Sequence, residues 1–153
     1  MLAISASTVA LANASMRSVS SSTSDHTNTQ VAQANRTLVG TFVAAEAPTT
    51  GTARVVTENG HRYLELDSAF STTNQAPDLH VLLDSAQVPP RKYTNFGSYI
   101  NLGRLERVSG AQRYPIPDSV NLAQFRSVVI WCRMANATMG YAVLGGNTSA
   151  RVQ

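Results

Sequence analysis

The sequence predicts an all-β domain over residues about 37 to 153: an antiparallel β-sandwich of about seven to nine short strands with at most one short helical turn. Three observations carry this. From Leu38 onward, short runs of β-branched residues are separated by Pro- and Gly-containing turn signals. Tyr63-Leu64-Glu65-Leu66-Asp67 alternates at a period of 2, with Leu64 and Leu66 on one face and Glu65 and Asp67 on a wet one. Ser127 to Met134 (SVVIWCRM) is a β-branched and aromatic run too apolar for a solvated edge.

Thr37 to Ala44 (TLVGTFVA) reads as the first strand, with Gly40 at a bulge or close approach. Pro48 to Gly51 turns the chain into Thr52 to Thr57, and Glu58-Asn59-Gly60 is an Asn-Gly hairpin signal leading into Arg62 to Leu66. Leu79 to Leu83 is a short strand bounded by Ala76-Pro77-Asp78 and Asp84-Ser85, and Pro89-Pro90 ends the following loop. Tyr99 to Leu105 is a further strand, interrupted by Gly103. Tyr114-Pro115-Ile116-Pro117 is expected to lie outside any sheet, since two prolines remove two ladder donors; Asp118 to Gln124 then opens like a capped helical turn. Ser127 to Met134 and Tyr141 to Leu144 complete the domain.

The segments before this domain differ in kind. Met1 to Ala14 (MLAISASTVALANA) reads either like the apolar middle and small-residue end of a signal peptide, a remnant without a basic n-region, or as an Ala/Ser-rich disordered terminus, and Ala32-Gln33-Ala34 offers a second small-x-small site. Residues 15–36 are a polar Ser/Thr/Asn/Gln linker with neither strand nor helix period, expected to be disordered; Asp25 and His26 in it read as solvated side chains. These features, with a charged fraction of only 14% and hence a neutral polar surface, point to an extracytoplasmic (periplasmic or secreted) protein.

Composition also excludes function classes. The 12 basic residues include one lysine and scatter without a run, so the clustered footprint of a nucleic-acid binder is missing. No stretch approaches the roughly 20 apolar residues of a transmembrane helix. There is no G-x-S-x-G, no zinc-ligand spacing and no phosphate-cradling glycine loop, so no metal site is assigned and the chain reads as a non-enzyme on its own. Four N-x-S/T sequons are what so Asn- and Thr-rich a chain contains by chance.

The chemistry-bearing candidates are few. A single cysteine, Cys132, forms no internal disulfide. The strand period puts Val128, Ile130, Cys132 and Met134 on one face and Val129, Trp131 and Arg133 on the other, so the thiol lies in an aliphatic row and Arg133 points away from it. Two readings of Cys132 stand: a buried small hydrophobe, or a reactive or ligating thiol. Asp78 and His80, two apart on an extended segment, project to one side, where a carboxylate can orient an imidazole or raise its pKa; the plainer reading is turn bonding by Asp78 and a half-buried His80. Met134 and Met139 carry soft sulfur of the kind that ligates haem iron, although most such methionines fill core gaps. A Cys132/His80 dyad rests on residue types alone.

Gly40-Thr41-Phe42, Gly51-Thr52-Ala53, the D-L-H-V-x-L strand from Asp78, the Y-x-I-P turn at Tyr114 to Pro117 and the V-x-I-W-C strand ending at Trp131-Cys132 occur in an order that resembles the DM-thirteen domain family, labelled "electron transfer", over residues about 38 to 145. The resemblance implies an extracytoplasmic β-sandwich, found alone in bacteria and beside haem-binding DOMON and cytochrome-b561 modules in animals. It implies that the family's single cysteine, here Cys132, takes part in electron transfer together with haem or another prosthetic group. Asp78, His80, Trp131, Cys132 and Met134 are then the residues to shape such a site, with Asp78 and His80 beside the thiol. The cofactor's identity is unknown at this stage, haem being one candidate. The resemblance covers no haem domain within these residues, so a redox partner, or a cell-surface one, is expected to be a separate molecule. The alternative function is a non-catalytic binding or scaffold module in which Cys132 merely packs.

Overall fold

The structure, a computed structural model, describes residues 37–146. The expectations for Met1 to Ala14, for residues 15–36 and for the tail beyond 146 lie outside the described residues.

Among the described residues the chain is all-β, with one short 3₁₀ turn. The strands are β1 (Leu38–Ala44), β2 (Thr52–Glu58), β3 (His61–Leu66), β4 (Leu79–Asp84), β5 (Tyr99–Arg104), β6 (Gln112–Ile116), β7 (Ser127–Cys132), β8 (Ala137–Val143) and β9 (Gly145–Gly146). Their order is β5-β4-β7-β8-β1-β2-β3-β6, with β9 also on β1, and every pairing is antiparallel. β5 and β6, at the ends of this order, approach each other, so the sheet is nearly closed.

β1 divides the sheet into two facing halves. Val39 to Thr41 pair with β2, whereas Phe42 to Ala44 pair with β8. Gly40 lies close against the β8 backbone: a Cβ there would lie 2.2 Å from the Val143 carbonyl oxygen, so only glycine fits. Ala53, Leu64, Leu66 and Ile116 from one half meet Leu79, Val81, Val128, Ile130 and Cys132 from the other in one core, the sandwich interior that the alternation predicts.

The β2–β3 hairpin turns at Asn59 (φ 53°) and Gly60 (φ 80°), the two positive φ values of a tight strand-matched turn. Leu64 and Leu66 are buried, while Glu65 faces out to Arg113. The 3₁₀ turn Leu122–Gln124 is capped by the Asn121 side chain, which accepts from the Ala123 amide.

Three elements differ from expectation, the first being β8, which starts at Ala137 rather than Tyr141. Pro115 does lie in a strand: β6 is terminal and hydrogen-bonds β3 alone, so the missing proline donor does not break a two-sided ladder. β7 ends at Cys132 rather than Met134, because Arg133 to Asn136 form the turn into β8, with Asn136 in the left-handed region (φ 47°).

β4 and β7 are buried on both faces. Their inner face joins the sandwich core. Their outer face carries Leu82, Val129 and Trp131, covered by Tyr93 from the β4–β5 connection. The single wet face predicted from β3 therefore does not extend to this half of the sheet.

Candidate functional site

The antiparallel register of β4 and β7 determines which candidate residues share a face. Leu79 pairs with Cys132 and His80 with Trp131. Cys132 thus points with Leu79 into the sandwich core, and His80, Trp131 and Asp78 belong to the outer side.

Cys132 is a free thiol, 1% exposed, in the aliphatic row with Val128 and Ile130. It also borders a cleft of about 270 Å³ lined by Ala47, Ala76, Pro77, Ala135, Met139 and, among its polar residues, Glu46. Met139 therefore shares the cleft of Cys132. Met134 does not; it stands 75% exposed on the β7–β8 turn.

On the outer side, Asp78 and His80 are joined directly, where the plainer expectation is turn bonding by Asp78 and a half-buried His80. His80 Nε2 lies 3.0 Å from Asp78 Oδ1 and donates to it. Asn101 Oδ1 accepts from the Gly103 amide at 2.9 Å, which turns Asn101 Nδ2 toward His80 Nδ1 at 3.1 Å. Both ring nitrogens of His80 thus have a hydrogen-bond partner.

Arg133 Nε donates to Asp78 Oδ2 at 2.8 Å, and the Arg133 amide donates to the Asp78 carbonyl at 2.9 Å. The guanidinium is the main cause holding the Asp78 carboxyl below the usual carboxylate range; burial works against this and the His80 hydrogen bond adds to it. Arg133 accordingly serves Asp78 and not the thiol.

Trp131 sits on the same face, its ring centroid 6.3 Å from His80, 5.8 Å from Tyr93 and 5.7 Å from Tyr99. Its Nε1 donates to Asn136 Oδ1 at 3.1 Å; the same oxygen accepts from the Tyr93 amide, and Asn136 Nδ2 donates to the Tyr93 carbonyl. The Tyr93 hydroxyl donates to Asp84, whose carboxylate is fully buried and also accepts from the Ala86 amide. Burial, then the Asp84 carboxylate, pushes the Tyr93 phenol far above its ordinary pKa.

Tyr93, Asn101, Asn136 and the Arg133–Asp78 pairing are absent from the sequence-level candidates. Tyr93 lies in a loop without periodicity, and Asn101 and Asn136 look like ordinary strand and turn residues. The one available signal was Asp84 directly ending an apolar strand.

Haem does not fit the described residues. Both nitrogens of His80 are already bonded, and the cleft at Cys132 is below the roughly 300–1,000 Å³ of common small-molecule sites, before a macrocycle of haem size is considered. No group of three or more His, Cys, Asp and Glu side chains able to hold a metal ion is found among the described residues. No described helix is long and apolar enough to cross a membrane.

Fold and site together define a small all-β module with a cysteine bordering an open surface cleft on one side of a buried strand pair and a polar–aromatic cluster on the other. The model of the family described as "Electron transfer DM13" matches residues 41–144, and the chain belongs to this family. Among curated proteins and among solved structures, nothing matches.

Proposed function

We propose that this electron-transfer family domain works outside the cytoplasm and that Cys132 is its reactive or cofactor-ligating thiol, serving a separate redox partner. The observation that supports the reading is the cleft bordered by Cys132 and Met139, since a thiol in an aliphatic row acts only if one side of the row is open. Two sulfur-bearing side chains on one small cleft also suit a soft ligand better than an oxygen-binding cation. The extracytoplasmic assignment is supported by the apolar, Ala-rich first residues and the low charge of the chain.

The outer cluster then supports the strand and does not touch the thiol. Asp78 grips Arg133, the residue directly after Cys132, through both its carbonyl and its carboxylate, so the end of β7 is held in place.

The test is thiol reactivity. Native protein titrated with DTNB modifies Cys132 at neutral pH, more slowly than unfolded protein but to completion, and Cys132→Ser abolishes the protein's response to thiol-directed oxidants and reductants. The second reading, a binding module with a structural cysteine, is favoured by the 1% exposure of Cys132. It requires reaction only after unfolding and no thiol-directed redox response in the folded native protein.

A further inference from the structure

The aromatic rings on the outer face of β4 and β7 take no part in the thiol chemistry, and one is wired differently from the other tyrosines. Tyr93 is 2% exposed, and its centroid lies 4.7 Å from Tyr99 and 5.8 Å from Trp131. Tyr99 in turn stacks edge-on with Phe96 at 6.4 Å, and Phe96 is 70% exposed. A ring-to-ring path therefore leads from Tyr93 to the surface.

The hydroxyl end of Tyr93 meets a base. Its proton points at Asp84, whose second oxygen is held by the Ala86 amide, in a site without solvent. Tyr114 provides the contrast: it too is buried, but its hydroxyl donates to the neutral amide oxygen of Gln112, which does not take a proton.

We propose that Tyr93 is a redox-active tyrosine that gives up one electron through Tyr99 and Trp131 to an outer-sphere one-electron oxidant while its phenolic proton moves to Asp84. The electron leaves the phenol, the Tyr93 O–H bond breaks, and an O–H bond forms on Asp84; the products are a neutral phenoxyl radical, a protonated carboxyl and the oxidant reduced by one electron. Re-reduction returns the proton along the same hydrogen bond.

The electrostatics favour this course. A phenol beside a carboxylate carries one negative charge in a dry site, and the oxidised pair carries none, so the step removes a buried charge. Without a base the step would leave a buried cation. The inference does not depend on the role of Cys132.

The test uses the full chain with photogenerated tris(bipyridine)ruthenium(III) as oxidant, read by transient absorption and electron paramagnetic resonance. Wild type is expected to give a tyrosyl radical whose formation slows in deuterated solvent, and Cys132→Ser is expected to keep it. Tyr93→Phe should lose most of the tyrosyl signal, with oxidation stopping at Trp131. Asp84→Asn, which keeps a hydrogen-bonding side chain but no proton acceptor, should lower the yield at least tenfold. An unchanged tyrosyl yield in Tyr93→Phe would assign the radical to another tyrosine and overturn the proposal, as would the absence of any tyrosyl radical in wild type. If either variant fails to fold, the solvent isotope effect on wild type decides: no effect means that no proton moves with the electron, and the proposal is lost.

Discussion

Leu79 and Cys132 face each other across the β4–β7 pair, and this single register contact separates the thiol from His80. The neighbouring pair, His80 with Trp131, projects to the opposite face, because successive side chains on a strand alternate. The D-L-H and W-C segments that the resemblance brings together are thus adjacent in the backbone and divided by the sheet. Chemistry at Cys132 and chemistry at Asp78, His80 or Tyr93 can be perturbed independently.

Cys132→Ser tests the environment of the thiol as well as its reactivity. A hydroxyl placed among Val128, Ile130 and Leu79 has no partner there, and the substitution should cost about 1–3 kcal/mol of unfolding free energy. Cys132→Ala, which brings no polar atom, should cost less than the serine. Urea denaturation of both variants checks the order.

The Asp78–Arg133 pair predicts a pH dependence. The folded-state pKa of Asp78 is depressed below the ordinary value of 3.8, so the stability it contributes is present above that value and is lost as pH falls toward the folded pKa. Arg133→Gln removes the main cause of the depression. Stability measured from neutral pH down into the acid range should then fall less steeply below the ordinary value than in wild type, the variant having already lost that contribution at neutral pH.

Gly40→Ala should be among the most damaging single-methyl changes in the domain. Its Cβ meets backbone rather than a movable side chain, at 2.2 Å, and the resulting overpacking is expected to cost about 1–3 kcal/mol or more. Gly60→Ala is the control. Nothing lies within 4 Å of its Cβ, and only the positive φ of 80° resists it, at a cost of about 1 kcal/mol. Thermal melts of the two variants should rank them in that order.

Asn136 ties the β7–β8 turn to the aromatic cluster through Trp131 and both backbone groups of Tyr93. Asn136→Ala strips these partners and strains a left-handed position, and should destabilise the domain by about 2–3 kcal/mol. Trp131 is the chain's sole tryptophan, so its fluorescence should shift to the red as the cluster loosens, which reports the local effect separately from global unfolding.

Much of the fold is written in local pattern. The alternation from Tyr63 to Asp67, the Asn59-Gly60 turn and the apolar run from Ser127 to Cys132 specify their elements within a few residues, since turn chemistry and strand period act at that range. Gly40 was legible for the same reason. Pro115 misled because a proline excludes only a two-sided ladder, and whether a strand is terminal depends on the whole topology. Met134 fell outside its strand because Asn136 takes a left-handed turn conformation that composition does not dictate.

By itself, the sequence determined the all-β class, most of the strands and the two faces of β7. Tertiary structure alone decided that Arg133 belongs to Asp78, 55 positions away, that a loop tyrosine ends on Asp84, and that Cys132 borders a cleft with Met139. The physical reason is register. A strand's period says which side chains point the same way, but a slip of one residue between partners would exchange the faces, and only packing of the whole core selects the pairing that is made.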